Sequence, residues 1–205
     1  MMVHHPKVAR ADHEIHELIR ERWSPRAFDA SRGVARDDLL RLFEAARWAP
    51  SSANEQPWRF LVGDRERSPE RHAALLNALI PKNQAWARHA PVLALVAVRL
   101  THEQSERVNP LAWYDAGQAV ALLTVQATAQ GMAIRQMAGF DKEQVRATCG
   151  IPEPFDPFVV MAIGYAGDPE SLEIDKHRES ERSPRSRRPL GDFVFEGDWG
   201  RGIGA

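Results

Sequence analysis

Ala49-Pro50-Ser51-Ser52-Ala53-Asn54-Glu55-Gln56-Pro57-Trp58-Arg59-Phe60 is the stretch around which this chain is organised. An apolar-periodic helix precedes it and an apolar strand follows it. Pro50 stops the helix, because the residue before a proline is pushed out of the helical region. Ser51, Ser52 and Asn54 supply short side chains that donate and accept hydrogen bonds close to the backbone. Pro57 stiffens the exit toward Trp58, Phe60, Leu61 and Val62. A polar loop of fixed shape, clamped between apolar elements, suits a flat ligand with polar edges. Read alone, the stretch serves equally as an ordinary helix-to-strand connection.

Upstream, Asp12 is a candidate cap for a helix running to about Arg22, with Ile15, Leu18 and Ile19 on its apolar face. Ser24-Pro25 ends it. The segment Arg22-Trp23-Ser24-Pro25-Arg26-Ala27-Phe28 sets two arginines around a serine. Such spacing can offer guanidinium groups and a hydroxyl to one phosphate. A surface turn with solvated arginines is the commoner use of such a segment. Residues 36–48 read as a second helix whose buried face is Leu39, Leu40, Leu42, Phe43 and Ala46.

Downstream, residues 58–62 read as a strand, and Ser68-Pro69 opens a helix to about Leu79. Residues 81–84 break it, and 86–90 make a short turn. The uninterrupted apolar run at 92–98 is a central strand buried on both faces. Residues 101–110 are polar and aperiodic, a loop or flap. The longest helix spans 113–130, apolar or small nearly all round, which places it centrally or at a subunit interface. Gly131 stops it. A strand at 133–137, a turn at Ala138-Gly139, a helix capped by Asp141 to about Cys149 and a strand at 158–165 follow. The run 176–188 reads as a solvated charged connection. The apolar tail Phe193-Val194-Phe195, with Trp199, needs somewhere to pack, and a partner subunit is one such place. The pattern is α+β, with four or five short strands and no regular βαβ repeat.

With 205 residues and 43% apolar residues the chain makes about one domain with a real core. A net charge of −1 offers no overall attraction to nucleic acid or membrane. No run approaches the ~18 apolar residues of a membrane span. Met1 to Arg10 lacks the apolar block of a signal peptide, and Cys149 is the only cysteine, so the expected location is cytoplasmic. Dinucleotide, Walker, zinc-protease and nucleophile-elbow motifs are absent. His4-His5 reads as a frayed terminus rather than a metal site, and Cys149 as core rather than nucleophile. No Ser/His/Asp set suggests itself.

Taken together, these pieces resemble the nitroreductase family of flavin mononucleotide (FMN) enzymes. The matching segments are Arg22-Trp23-Ser24-Pro25-Arg26-Ala27-Phe28, the opening stretch, Asn83-Gln84-Ala85-Trp86 before Ala90-Pro91, Met137-Ala138-Gly139-Phe140-Asp141, and Arg185-Ser186-Arg187-Arg188-Pro189-Leu190. They fall in order from about residue 13 to 199. The resemblance implies a single nitroreductase-like α+β domain over 1–205, with a central, mostly antiparallel sheet flanked by helices. It implies an intertwined homodimer with two FMN sites at the interface, a flexible N-terminus at about 1–11 and a C-terminal extension at about 170–205 packing on the partner. It places Arg22, Ser24 and Arg26 at the FMN phosphate and ring edge, with Arg185 and Arg187 returning to the same phosphate. Pro50, Ser51, Ser52 and Asn54 would reach the flavin from the other subunit, with Gln56 and Asn83 as neighbours. Met137, Ala138 and Gly139 would lie along the isoalloxazine edge, a backbone N–H near N5.

The implied activity is that of an FMN-dependent NAD(P)H oxidoreductase. Hydride passes from NADH or NADPH to flavin N5 and then to a nitroaromatic, quinone or other small oxidised acceptor, in ping-pong order, with no side chain as acid or base. Two other readings are a relative with different flavin chemistry (dehalogenation, desaturation or flavin breakdown) and a non-catalytic flavin-binding dimer. The chain departs from part of the family at Ala138, where many members carry glutamate. The contact there is chiefly backbone, so the departure bears on reduction potential and substrate. Trp23 is bulkier than the usual polar residue.

Overall fold

The apolar run after Pro91 forms β2, Val92–Arg99, and the sheet is built on it. The computed structural model describes residues 7–203, which leaves His4 and His5 outside the described residues. β2 pairs antiparallel with β1 (Trp58–Asp64) on one side and β4 (Phe155–Gly164) on the other. β4 pairs antiparallel with β3 (Ala133–Met137). The order β1-β2-β4-β3 leaves β1 and β3 as opposite edges. Side chains alternate across a strand, so Val92, Ala94, Val96 and Val98 enter one core and Leu93 and Leu95 the other.

The first core is covered by α2 (Arg36–Arg47) and α5 (Ala112–Ala129), the second by α3 (Pro69–Ala78) and α4 (Pro81–Ala87). α1 (Glu17–Glu21), α6 (Lys142–Cys149) and α7 (Asp175–Arg182) complete seven α-helices among the described residues. Leu42, Leu75, Leu93 and Leu123 are fully buried, each contributing about 1.5–3 kcal/mol. The class is α+β, as expected, with a four-stranded, wholly antiparallel sheet. No helix among the described residues is long and apolar enough to cross a membrane.

Local chemistry explains the element ends. Asp141 accepts a hydrogen bond from the Gln144 N–H at 2.9 Å and caps α6. Gly150 closes that helix with φ 66°, a left-handed cap suited to glycine. Ile80 is extended before Pro81, which then opens α4 at its first position. The expected break at 81–84 is therefore corrected: this proline starts a helix.

Three further expectations are corrected. Asp12 caps nothing in α1. That helix begins only at Glu17, where His16 Nδ1 accepts from the Leu18 N–H at 3.2 Å. Ile15 and Ile19 remain exposed, so no buried face stabilises an earlier turn. Leu40 lies off the buried face of α2, at 53% exposure. The charged run at 176–188 is in part a helix, α7, whose inward positions are His177 and Glu181, both buried. An i, i+4 pair of polar residues leaves no hydrophobic period to read.

The 101–110 segment is tied down. Glu55 accepts from the Glu103 N–H at 3.0 Å and sits 3.2 Å from His102 Nδ1. From Lys7 onward the N-terminal segment is held as well, for Lys7 is buried and the Ala9 N–H donates to the Arg20 carbonyl at 2.8 Å. The tail folds on itself through a Phe195–Gly202 bridge, with the Phe195 and Trp199 rings 5.0 Å apart and Trp199 93% exposed.

Candidate functional site

Arg22, Ser24, Arg26, Arg185 and Arg187, five of the residues read as phosphate ligands, line one pocket of about 180 Å³. The turn after α1 brings Arg22, Ser24 and Arg26; the segment after α7 brings Arg185 and Arg187. With Arg135 from β3 and Lys7, the lining holds six cations against one carboxylate, Glu181.

Most of their hydrogen bonds go to main-chain oxygens. Arg185 Nη1 donates to the Arg22 carbonyl at 2.5 Å, and its Nη2 to the Arg20 carbonyl. Arg135 Nη1 donates to the Ser24 carbonyl at 2.5 Å. Lys7 Nζ donates to the carbonyls of Ser180 and Ser183. Carbonyls satisfy N–H groups without neutralising charge. Arg22 Nη1 meets Ser24 Oγ at 3.2 Å. Glu181 Oε1 accepts from the Arg26 N–H at 3.1 Å and lies 4.0 Å from Arg26 Nη1. Glu181 Oε2 and Arg185 Nε are buried without a hydrogen-bond partner.

The electrostatics follow from crowding. Burial, then repulsion by Arg26, pushes Arg135 down to about 10, with Glu181 opposing. Arg22 and Arg185 are lowered by burial and then by neighbouring arginines. Arg26 is lowered by burial against the pull of Glu181. Burial raises Glu181 above its ordinary value, while the Arg26 and Ala27 N–H groups and the adjacent arginines pull it down. Desolvated like charges gathered around a hollow are arranged to receive an anion.

The residues read as the ring edge adjoin this pocket through β3. Met137 is buried, Ala138 is exposed, and the Gly139 carbonyl accepts from the Ile80 N–H at 3.1 Å and Asn83 Nδ2 at 3.3 Å. A Cβ on Gly139 would stand 2.8 Å from Ile80 Cδ1, the far end of that side chain, so the two segments approach closely here.

The 50–56 loop lies elsewhere. Ser51 Oγ accepts from the Gln56 N–H at 3.1 Å, and Gln56 Nε2 donates to the Asn54 carbonyl at 3.0 Å. The Ser52 N–H donates to Asp115 Oδ2 at 3.0 Å. Ala53, Asn54 and Gln56 take positive φ values of 51°, 56° and 47°, strained for non-glycine residues and kept where the surroundings over-determine them. Asn54 and Gln56 line a hollow of about 350 Å³ with Arg59 and Glu103, and it shares no lining residue with the arginine pocket. Pro50 is exposed beside it. The loop enters edge strand β1, whereas Met137 ends the opposite edge strand β3. Three inter-strand steps separate them, roughly 14 Å. The chain thus gathers the phosphate and ring-edge residues but not the serine loop.

Sequence reasoning missed Arg135, Lys7, Glu181 and Asp115. Two had a signal: Arg135 is the only charged residue of β3, and Asp115 the only one of α5. Among the described residues no group of three His, Cys, Asp or Glu could hold a metal ion.

Comparisons with known proteins give the family. A 15.4 kDa protein of Mycolicibacterium smegmatis encoded in the ask 5' region is 35% identical over 147 residues, 69% of this chain and 97% of that one. The major NAD(P)H-flavin oxidoreductase of Aliivibrio fischeri is 31% identical over 93 residues, 45% of this chain and 42% of its own. A crystal structure described as the oxidoreductase containing FMN superposes with a TM-score of 0.86 at 33% identity, covering 93% of this chain and 95% of that one. The model of the nitroreductase family matches residues 19–165, from α1 through the whole sheet. This chain belongs to the nitroreductase family.

Proposed function

We propose that this chain binds FMN and acts as a homodimeric NAD(P)H oxidoreductase on small oxidised acceptors such as nitroaromatics or quinones. The observation that carries the reading is the pocket in which six cations face one carboxylate. A phosphate monoester carries about −1.5 to −2 charges near neutral pH and offers three acceptor oxygens, which complements desolvated guanidinium groups bonded mainly to carbonyls. The relative described as containing FMN supports the choice of ligand.

Arg22, Arg26, Arg185 and Arg187 would hold the phosphate by charge-assisted bonds, with Ser24 Oγ beside them. Met137, Ala138 and Gly139, braced by Asn83, would border the ring. When bound, FMN would supply the hydride chemistry, passing reducing equivalents from NADH or NADPH to the acceptor in substituted-enzyme kinetics. The protein's part is to bind, orient and exclude water.

Pro50, Ser51, Ser52, Asn54 and Gln56 would meet the ring from the partner subunit. The separation of the loop from β3 within one chain supports this, as does apolar surface on the α2/α5 side. Trp48 is 74% exposed and Tyr114 67%, with Trp113 and Leu122 also open. Large apolar side chains left this exposed suit an interface. The apolar tail would extend that contact.

The test is direct. Purified protein should be yellow and release FMN, not FAD, on denaturation. Without oxygen it should oxidise about one equivalent of NADH or NADPH per FMN and turn over only when an acceptor is supplied, and it should scatter light as a dimer. FAD, or no flavin after reconstitution, would overturn the reading.

A further inference from the structure

We propose that Arg135 is a phosphate-binding residue contributed by the sheet itself, and that Glu181 is the positioning residue that sets Arg26 opposite it. The inference rests on the FMN reading and adds two residues that the family-like arginine segments do not include.

β3 explains why an arginine stands here. Ile134 enters the core beneath α2 and α5, and Met137 enters the core beneath α3 and α4. Alternation puts Arg135 on the Met137 side. Its register is set by pairing with Ala162 of β4. The guanidinium lies 5.5 Å from the centre of the buried Trp86 ring. Its Nη1 is tied to the Ser24 carbonyl, and the group lines the pocket. A side chain held by a paired strand, a ring and a carbonyl is better fixed than one on a turn.

The alternative is that Arg135 only braces the 22–26 turn. A neutral donor would satisfy the Ser24 carbonyl without setting a buried charge against Arg26. Glu181 answers only part of that charge, being the one carboxylate among six cations in the lining. The remaining positive charge faces the pocket. Arg135 also stands two residues before Met137, so one strand would place both a phosphate ligand and the ring border. The spacing of the two ends of the ligand would thus be set by sheet geometry.

The experiment titrates apo-protein with FMN and with riboflavin, which lacks the phosphate, following flavin fluorescence. Arg135→Ala should weaken FMN binding roughly tenfold or more and leave riboflavin within about twofold. Arg135→Lys should fall between parent and alanine for FMN. Arg135→Gln, which retains a donor for the Ser24 carbonyl, should match alanine and serves if alanine does not fold. Glu181→Ala should likewise weaken FMN more than riboflavin, because the Arg26 segment loses its acceptor. Equal weakening for both flavins, or none for either, would overturn the proposal and leave the FMN reading standing. A parent protein that binds riboflavin as tightly as FMN would overturn the phosphate pocket, and Arg135 with it.

Discussion

The arginine pocket and the 50–56 loop are built on opposite plans. The pocket is assembled from four separate parts of the chain and brings six cations together with one carboxylate. The loop is local and satisfied, its strained backbone held by Ser51 Oγ within and by Asp115 Oδ2 from α5. The first is a site shaped for something with charge to give. The second is a braced loop whose polar groups mostly answer one another. Their placement at opposite edges of one sheet means that a single chain carries half of each of two sites, on the dimeric reading proposed above.

The largest effect is expected in the arginine pocket, where six cations face one carboxylate. Arg26→Ala removes a half-buried guanidinium and should cost about 1.5–3 kcal/mol of FMN affinity, ten- to a hundred-fold. Arg26→Lys should lose less, keeping charge but not the planar fork. Arg187 is exposed and its Nη1 bonds to the Ser186 carbonyl, so Arg187→Ala should fall at the low end. Fluorescence titration of apo-protein checks the order. Arg26→Ala binding FMN like the parent would move the phosphate out of this pocket.

A smaller effect of another kind is expected at the loop. Asp115→Ala leaves the Ser52 N–H without its acceptor and should cost about 1–2 kcal/mol of stability, read in urea. Asp115→Asn, which keeps an acceptor oxygen, should cost less. FMN affinity should drop modestly and riboflavin affinity equally, since the loop would meet the ring and not the phosphate. A selective loss of FMN would merge the two regions and break the comparison.

The smallest effect is a change of slope with pH. Burial holds the Glu181 carboxyl above its usual 4.5 in the folded apo-protein. The folded state then binds this proton more tightly than the unfolded state. Its contribution is full below the unfolded value and is lost as pH rises through the folded value. Stability of the apo-protein measured upward from the ordinary glutamate range should therefore fall less steeply in Glu181→Gln than in the parent. Identical slopes would mean that Glu181 ionises as freely in the pocket as in the unfolded chain.

What the sequence made legible follows the same division. β2 was readable because an apolar run leaves few alternatives, and β3 falls at residues 133–137 as expected, between Gly131 and the Ala138-Gly139 turn. The α6 cap was readable because Asp141 and Gly150 act within a few residues of their own positions. Pro81 misled because proline both ends and opens helices, and only the extended Ile80 tells which. α7 misled because its buried face is His177 and Glu181, whose burial depends on the distant Arg26 and Ala27 backbone. Arg22, Ser24, Arg26, Arg185 and Arg187 line one pocket, a grouping that family likeness suggested and spacing alone did not. Arg135 and Asp115 passed unremarked because each looks like one polar interruption in an apolar element. Their partners, Ser24 and Ser52, lie 111 and 63 residues away in sequence.

The central claim is that each FMN site joins the pocket of one chain to the loop of the other, and subunit mixing tests it most directly. One variant carries Arg26→Ala and Arg185→Ala in the pocket; the other carries Ser51→Ala, Ser52→Ala and Asp115→Ala at the loop. Neither homodimer should hold FMN near the parent's Kd. After co-refolding at equal amounts, about half of the dimers are mixed, and each mixed dimer regains one intact site of two. Tight FMN binding should therefore return to roughly a quarter of the parent's capacity. No recovery, in preparations where mixed dimers are shown to form, would mean that pocket and loop serve one site within the same chain.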